Sequence, residues 1–402
     1  MRGYPAGTVR SDDRILTRAR RRVHRDNRMP QRTDSNHYTT GIHLSQRSVL
    51  LLSAYRADSH RSWADWLVRA HPEIAWQRLE LPGRHFRWRI RGNPLSWIDR
   101  IPTQAPDLIL ATSMVDLATL RGLNPALADV PAWYYFHENQ FAYPVSAQQV
   151  KSIEPQIVQL YGALSAQRLL FNSAFNRDTF LDGVDSLLRR MPDQVPAGIR
   201  ERLAPKTSVY PIPVTPITPA ARRDARLIVW NHRWEYDKDP DLFAEALLAL
   251  ADNGVEFRLA LLGGRPHNGS AALARIRDAM PDRIVMDGRV DPDEYRAALG
   301  RAGIVVSTAR HEFQGLAMLE AVSAGATPLV PDALCYREQY PAVYRYTAWE
   351  KAPLVEKLTD WLANGPPAPP DISAWTDDGL PKMWRKLMFG ATPNGGSHEG
   401  DQ

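Results

Sequence analysis

Four prolines within nine residues, Pro211, Pro213, Pro216 and Pro219, cut this chain into two halves that no single helix or central strand can bridge. Proline fixes φ and removes a backbone donor, so segment 211–219 reads as a stiff connector between two units. On either side of it, short apolar runs alternate with amphipathic stretches, the rhythm of a parallel sheet covered by helices. Strands are predicted at 49–54, 76–81, 107–111, 132–136, 168–171 and 208–212, and again at 227–230, 257–262, 283–286, 304–307 and 327–330. Helices are predicted at 61–70 and 151–166 in the first half, and at 240–251, 270–280, 292–301 and 316–323 in the second. With 402 residues, each half is long enough to bury its own core. The expected fold class is therefore α/β: two doubly wound, Rossmann-like units facing each other across a cleft, with the ligand at the carboxyl ends of the strands. The expected organisation is an arm at 1–46, a first unit at 47–212, a linker at 213–225, a second unit at 226–349, a helical segment crossing back at 350–389, and a tail at 390–402.

Composition narrows the setting. Cys335 is the sole cysteine, which excludes a disulfide framework and a cysteine-based zinc site and suits a reducing compartment. The apolar runs fall far short of the eighteen or so residues of a membrane span, so a soluble, cytoplasmic protein without a membrane partner is expected. Residues 1–46 hold 10 Arg and 4 Asp, residues 47–212 hold 19 basic and 15 acidic groups, and residues 213–402 hold 21 basic and 26 acidic groups. A basic front half suits a polyanion such as nucleic acid. Genome base composition gives the same Arg-rich, Lys-poor bias. The arm, with its arginines from Arg18 to Arg25 and few apolar residues, reads as disordered; Asp12, Asp13, Asp26 and Asp34 argue against a transit peptide.

The second half carries the clearest chemistry. The predicted strand 304–307 leads into a loop with His311, Glu312, Phe313 and Gln314, then Gly315 opens a helix that begins at Leu316 and holds Glu320. Free N–H groups at such a helix start suit phosphate or sugar hydroxyls, and a carboxylate a turn or two inside can accept from a ribose diol. This Glu-x7-Glu element resembles the nucleotide-sugar site of the retaining GT-B glycosyltransferases of family four. Asn231-His232-Arg233-Trp234-Glu235-Tyr236-Asp237-Lys238 agrees, because that family holds its donor diphosphate with an Arg and a Lys at this spacing. Two fixed cations can neutralise a departing diphosphate without a metal. The resemblance implies a donor set of Arg233, Lys238, Gly263, Gln314, Gly315, Leu316 and Glu320, with Glu312 on the sugar hydroxyls. Asp237 with Asp239, and Asp291 with Asp293, imitate a metal-binding Asp-x-Asp, but they stand at helix starts where Asp caps N–H groups, so no metal is expected.

The first half carries Trp133-Tyr134-Tyr135-Phe136-His137-Glu138-Asn139-Gln140-Phe141-Ala142-Tyr143-Pro144. Four polar residues in a row at the end of an apolar strand are hard to place in a core, so His137 to Gln140 are expected in the cleft. With Ser53 to His60 and with Phe171-Asn172-Ser173-Ala174-Phe175-Asn176-Arg177, this string resembles the tRNA-queuosine α-mannosyltransferases. That resemblance implies transfer of mannose from GDP-mannose, with no other cofactor, to queuosine in the tRNA wobble position, with His137, Glu138 and Glu312 at the reacting centre. It also implies an acceptor set of Ser59, His60, Asn139, Gln140, Asn172, Arg177, Arg87 and Arg89. One loop departs from the subgroup: Arg56-Ala57-Asp58-Ser59-His60 stands where a Gly-Gly-Ser-His stretch is usual, which implies a bulkier approach to donor or acceptor.

Arg84, Arg87, Arg89, Arg91 and Arg100 cluster with His85, Phe86, Trp88 and Trp97, giving cations for phosphates and rings for unstacked bases. The same residues read equally as an edge strand whose arginines 87, 89 and 91 share a face at period two. A transferase for lipid, polysaccharide or small-molecule acceptors would share every donor residue. A non-catalytic RNA-binding protein would keep the arginines but have no reason to hold Glu312, Glu320, Arg233 and Lys238 together.

Overall fold

A computed structural model describes residues 46–143, 152–266, 269–376 and 379–390; the expected arm up to residue 45, Pro144 and the tail from residue 391 lie outside them. In chain order the first lobe runs β1 (Ser48–Arg56), α1 (Asp58–Ala70), β2 (Ala75–Pro82), α2 (Phe86–Trp97), β3 (Leu108–Thr112), α3 (Leu117–Leu123), β4 (Ala132–Phe136), α4 (Glu154–Ser165), β5 (Arg168–Phe171), α5 (Ala174–Leu188), α6 (Ile199–Leu203) and β6 (Thr207–Val209). The second runs β7 (Asp224–Trp230), α7 (Pro240–Asp252), β8 (Arg258–Leu261), α8 (Ala271–Ala279), β9 (Ile284–Asp287), α9 (Pro292–Arg301), β10 (Ala302–Val306), α10 (Leu316–Ser323), β11 (Thr327–Pro331), α11 (Tyr336–Gln339) and β12 (Arg345–Tyr346). Helices α12 (Lys351–Asn364) and α13 (Leu380–Phe389) follow.

Among the described residues each lobe holds one parallel six-stranded sheet, ordered β2-β1-β3-β4-β5-β6 in the first and β12-β11-β10-β7-β8-β9 in the second. Strand order reverses between β1 and β3 and between β7 and β10, which makes those carboxyl ends the natural ligand crevices. Both faces of the first sheet are covered. Val49 and Leu51 pack with Trp63 and Leu67 of α1, whereas Leu50, Leu52 and Ala54 pack with Trp97 of α2 and Phe180 of α5. That is why β1 reads as an unbroken apolar run rather than an alternating one.

Of the expected crossing segment 350–389, only the end crosses. Helix α12 packs Leu354, Leu358 and Trp361 into the second lobe's core. Helix α13 places Leu380, Trp384 and Met388 in the first lobe's core beside Trp63 and Tyr135, and Arg385 pairs with Glu73 at 3.0 Å.

The edge-strand reading of residues 87–91 is overturned: they lie in α2, where a 100° step per residue leaves Arg87 and Arg91 on one side and turns Arg89 to the other. The period-two arginines disguised this helix. Pro94 cannot donate to the carbonyl of Ile90, but Asn93 Nδ2 donates to it at 3.2 Å and to the carbonyl of Arg89 at 2.7 Å. No helix among the described residues is long and apolar enough to cross a membrane.

Candidate active site

The loops that follow β1, β4, β7 and β10 converge on one cleft of about 300 Å³. Its second-lobe wall is built on Lys238, which is buried and donates from Nζ to the Glu312 carboxylate at 3.0 Å and to the carbonyl of His311 at 2.8 Å. Asp237 stands 3.3 Å from the same ammonium. Burial would push the Lys238 ammonium down, but the Glu312 and Asp237 carboxylates outweigh it and hold its pKa above the ordinary value. Burial likewise works against the Glu312 carboxylate, yet the Lys238 charge and the Gly315 N–H carry it down to about 2. Arg233 is half-exposed on the same wall, pairing with Glu235 at 2.6 Å and Asp237 at 3.7 Å. The wall thus holds fixed charge of both signs in a stable ionised state.

Gly315 adopts φ 65° as it opens α10, a conformation that favours glycine, and there a side chain would meet the Tyr336 ring at 2.9 Å. One turn into α10, Glu320 accepts from the Tyr295 hydroxyl at 2.8 Å, and that hydroxyl accepts from Asn231 Nδ2 at 3.2 Å. Burial raises the pKa of Glu320 and the Tyr295 hydrogen bond lowers it in part.

The first-lobe wall is different in kind. His137, at the end of β4, has both ring nitrogens buried with no partner among the described residues. Its ring stacks on His60 at 3.9 Å and 17° and meets Trp63 and Tyr135 edge-on. Burial, then the neighbouring His60, drives the His137 imidazole well below its ordinary pKa, and burial takes His60 down to about 4. Two imidazoles on the opposite wall, His232 and His311, are also lowered by burial to about 4. All four are neutral near pH 7, so each ring offers one N–H donor and one lone pair without adding positive charge. Glu138, next to His137, is carried up to about 7 by burial, against the pull of the Arg233 charge.

The sequence-chosen residues separate on this geometry. The cleft is lined by Ser59, His60, His137, Glu138, Asn172, Arg233, Lys238, Glu312, Gln314 and Leu316. The departing loop does not crowd it, because Arg56 turns away to Glu80 at 3.0 Å and Asp65 at 3.7 Å, and Asp58 pairs with exposed Arg61. Asn139, expected to touch acceptor, is spent on structure: it donates to Asn176 and Thr179 and accepts from the Phe141 and Ala142 N–H groups. Asn172 donates to the His137 carbonyl at 2.8 Å and accepts from Asn176, so its amide supports the strand tip. Gln140 bonds through its backbone to Gln159 and Gln156. Arg177 lies on α5 and pairs with Asp178 at 2.7 Å, while Arg87 and Arg89 lie on α2; none of these three lines the cleft.

Gly263, expected in the donor set, packs instead against the loop after β7: at φ 91° a Cβ there would lie 2.0 Å from the His232 carbonyl oxygen. Gln314 uses its side-chain amide on the hinge, accepting from Ile212 N–H at 2.9 Å and donating to Ile212 carbonyl at 2.7 Å. Asp239 and Asp291 do cap helices, accepting from Leu242 and from Asp293 and Glu294. Sequence reasoning missed Tyr295, His232 and His311 as site residues. His232 and His311 stood within quoted motifs, in the loops that follow β7 and β10, and that position was the available signal; nothing local marks Tyr295.

Several contacts tie the lobes together. Glu338 of α11 accepts from the Ala174 and Phe175 N–H groups at the start of α5, at 2.9 and 3.2 Å. The Tyr143 and His311 rings meet edge-on at 4.7 Å across the cleft.

Comparison with known proteins agrees with this architecture. Residues 48–214 match the tRNA-queuosine alpha-mannosyltransferase N-terminal family model, and residues 225–338 match glycosyl transferases group 1. Solved structures with the same fold include the lipopolysaccharide outer core galactosyltransferase WaaB (12% identical, TM-score 0.62, covering 85% of this chain and 99% of that one). Sucrose-phosphate synthase from Thermosynechococcus elongatus is another (13% identical, TM-score 0.62, covering 85% and 99%). Both lobes share the GT-B arrangement of these glycosyltransferases. A Drosophila melanogaster tRNA-queuosine alpha-mannosyltransferase is 33% identical over 307 residues, 73% of this chain and 81% of that protein. An identity of that level over 73% of the chain, with family models matched in both lobes, makes this chain a glycosyltransferase belonging to the tRNA-queuosine alpha-mannosyltransferase family.

Proposed function

We propose that this enzyme moves mannose from GDP-mannose to the cyclopentene diol of queuosine in the tRNA wobble position, with retention of the α configuration. The carrying observation is that two cations, Lys238 and Arg233, fixed by the Glu312, Asp237 and Glu235 carboxylates, stand opposite unpartnered, neutral His137. In this reading Lys238 and Arg233 hold the diphosphate and Glu320 the ribose. Glu312, kept ionised by Lys238, accepts from the sugar hydroxyls together with the backbone N–H groups around Leu316. His137, neutral, orients the sugar without opposing the positive charge that develops at its anomeric carbon.

The bond from the anomeric carbon to the diphosphate oxygen breaks as the bond to the acceptor hydroxyl oxygen forms on the same face. The acceptor proton passes to the leaving phosphate oxygen, so no external base is required. Glu138, poised near neutrality, is the group positioned to share that proton or to accept from the diol. Family membership over residues 48–214 supports the acceptor, because that model covers the lobe opposite the donor wall.

The test is incubation of purified protein with queuosine-containing tRNA and a panel of nucleotide sugars, followed by mass spectrometry of the nucleosides. A hexose gained by queuosine with GDP-mannose alone is the expected result. Nucleotide-sugar binding without transfer to tRNA would redirect the search to lipid and polysaccharide acceptors.

A further inference from the structure

The first lobe carries an exposed aromatic that the cleft chemistry does not use. Trp88 on α2 is 52% exposed and Leu95 is 60% exposed, although both are large and apolar. At 100° per residue Trp88, Arg91 and Leu95 fall on one stripe of the helix, with Arg87 beside it.

Gly92 explains how the ring is held. A Cβ at this position would lie 2.5 Å from the Trp88 Cε2, so the indole rests on the one residue of the stripe's edge that has no side chain. A glycine inside a helix costs about 1 kcal/mol relative to alanine. Here it lets the ring lie against the helix with its other side in solvent. Arg91 is engaged with Asp116 at 2.5 Å and Glu154 at 3.2 Å, whereas Arg84 and Arg87 are exposed and make no ion pair among the described residues.

The first turn of this helix adjoins the segment that leads to the cleft wall. Phe86 meets Tyr55 edge-on at 6.2 Å, and Gly83 lies against the backbone of Arg56 and Ala57, where a Cβ would come within 3.1 Å. The same loop delivers Ser59 and His60 to the cleft wall.

We propose that Trp88, Arg84 and Arg87 form the RNA-docking face, stacking one unpaired base and holding loop phosphates while the neighbouring modified nucleotide enters the cleft. The proposal rests on the tRNA reading above and names the surface that receives the loop. An exposed flat ring on a segment that carries unpaired guanidiniums is how sequence-tolerant single-strand binding is built, and those two cations favour a polyanion over an apolar protein partner.

The test uses the full chain and queuosine-containing tRNA. W88A is expected to raise both Kd and KM for tRNA roughly ten-fold, with W88F recovering most of the loss. R84A/R87A is expected to flatten the dependence of log Kd on log salt by about 1.4, at ~0.7 per single-strand phosphate contact. G92A displaces the ring and should weaken tRNA binding despite its better helix propensity. GDP-mannose affinity and the melting temperature should hold in W88A and R84A/R87A, since all three side chains are exposed. A wild type that glycosylates tRNA while these variants bind it as tightly overturns this proposal alone. So does a change in sedimentation without a change in tRNA affinity, which would make the face a protein contact. A wild type that binds no tRNA overturns the functional reading, and this proposal with it.

Discussion

The two walls of the cleft solve opposite electrostatic problems. On the second lobe the Glu312 and Asp237 carboxylates lie 3.0 and 3.3 Å from the Lys238 ammonium, and Lys238 and Glu312 keep each other charged in spite of burial. On the first lobe His137 and His60 lie stacked with no carboxylate to stabilise a proton, so burial keeps both neutral. The charged wall suits a leaving group that gains negative charge, and the neutral wall suits a sugar that gains positive charge. The difference shows that burial alone does not set protonation; the presence or absence of a partner at about 3 Å decides it.

Breaking the charged wall should have the largest effect. K238A removes the buried cation that the proposed function assigns to the diphosphate and leaves Glu312 without its counter-charge; kcat is expected to fall about 1,000-fold, the upper range for loss of one preorganised electrostatic group. Steady-state kinetics with GDP-mannose would check this, and a loss below ten-fold would mean that Arg233 alone carries the phosphate. On the neutral wall, H137F keeps the stacked ring but deletes both nitrogens. A fall in kcat of about 100-fold is expected, with GDP affinity unchanged in calorimetry. Full activity in H137F would reduce that wall to packing.

The pH response of stability sharpens the comparison. His60, His232 and His311 titrate at about 4 when folded and near 6.5 when unfolded, so the unfolded chain binds more protons between those values. Their contribution is therefore complete above about pH 6.5 and is lost as pH falls towards 4, at up to ~1.4 kcal/mol per pH unit for each group. Glu138 works the other way: its folded value of about 7 means that stability falls as pH rises from 4.5 to 7. Three imidazoles outweigh one carboxyl, so the melting temperature should drop from pH 6.5 to 4.5, and E138Q should steepen that drop. Below pH 4.5 protonation of unfolded carboxylates adds the loss from Glu312. A flat melting profile across pH 4.5–6.5 would show that the imidazoles of both walls are wet. The smallest effect is expected at E338A, which removes the cap that joins the second lobe to α5 and should cost about 1 kcal/mol in a denaturant melt.

Much of this was legible along the chain. The four prolines separate the two sheets, unbroken apolar runs such as 132–136 mark strands buried on both faces, a strand end pointed to His137 and Glu138, and the resemblance to family four pointed to Lys238 and Glu312. Local pattern failed at α2, where an arginine at every second position imitated a strand in what is a helix that holds Pro94 with the help of Asn93. At Asn139 and Gly263 the residue types suit a binding site but the hydrogen bonds or close packing are committed to the scaffold, whereas Gln314 lines the cleft while its side-chain amide is spent on the hinge.

The sequence by itself determined what depends on neighbours along the chain: the periodicity that makes strands and helices, the break between the lobes, and the kinds of chemical group at strand ends. Tertiary structure alone decided which of those groups are free to act. Desolvation and pairing depend on atoms far apart in sequence, as with Lys238 and Glu312, Tyr295 and Glu320, or Trp384 of the last helix beneath the first lobe's sheet. A hydrogen bond already made, or one left open, is a fact about three-dimensional neighbours that no local pattern encodes.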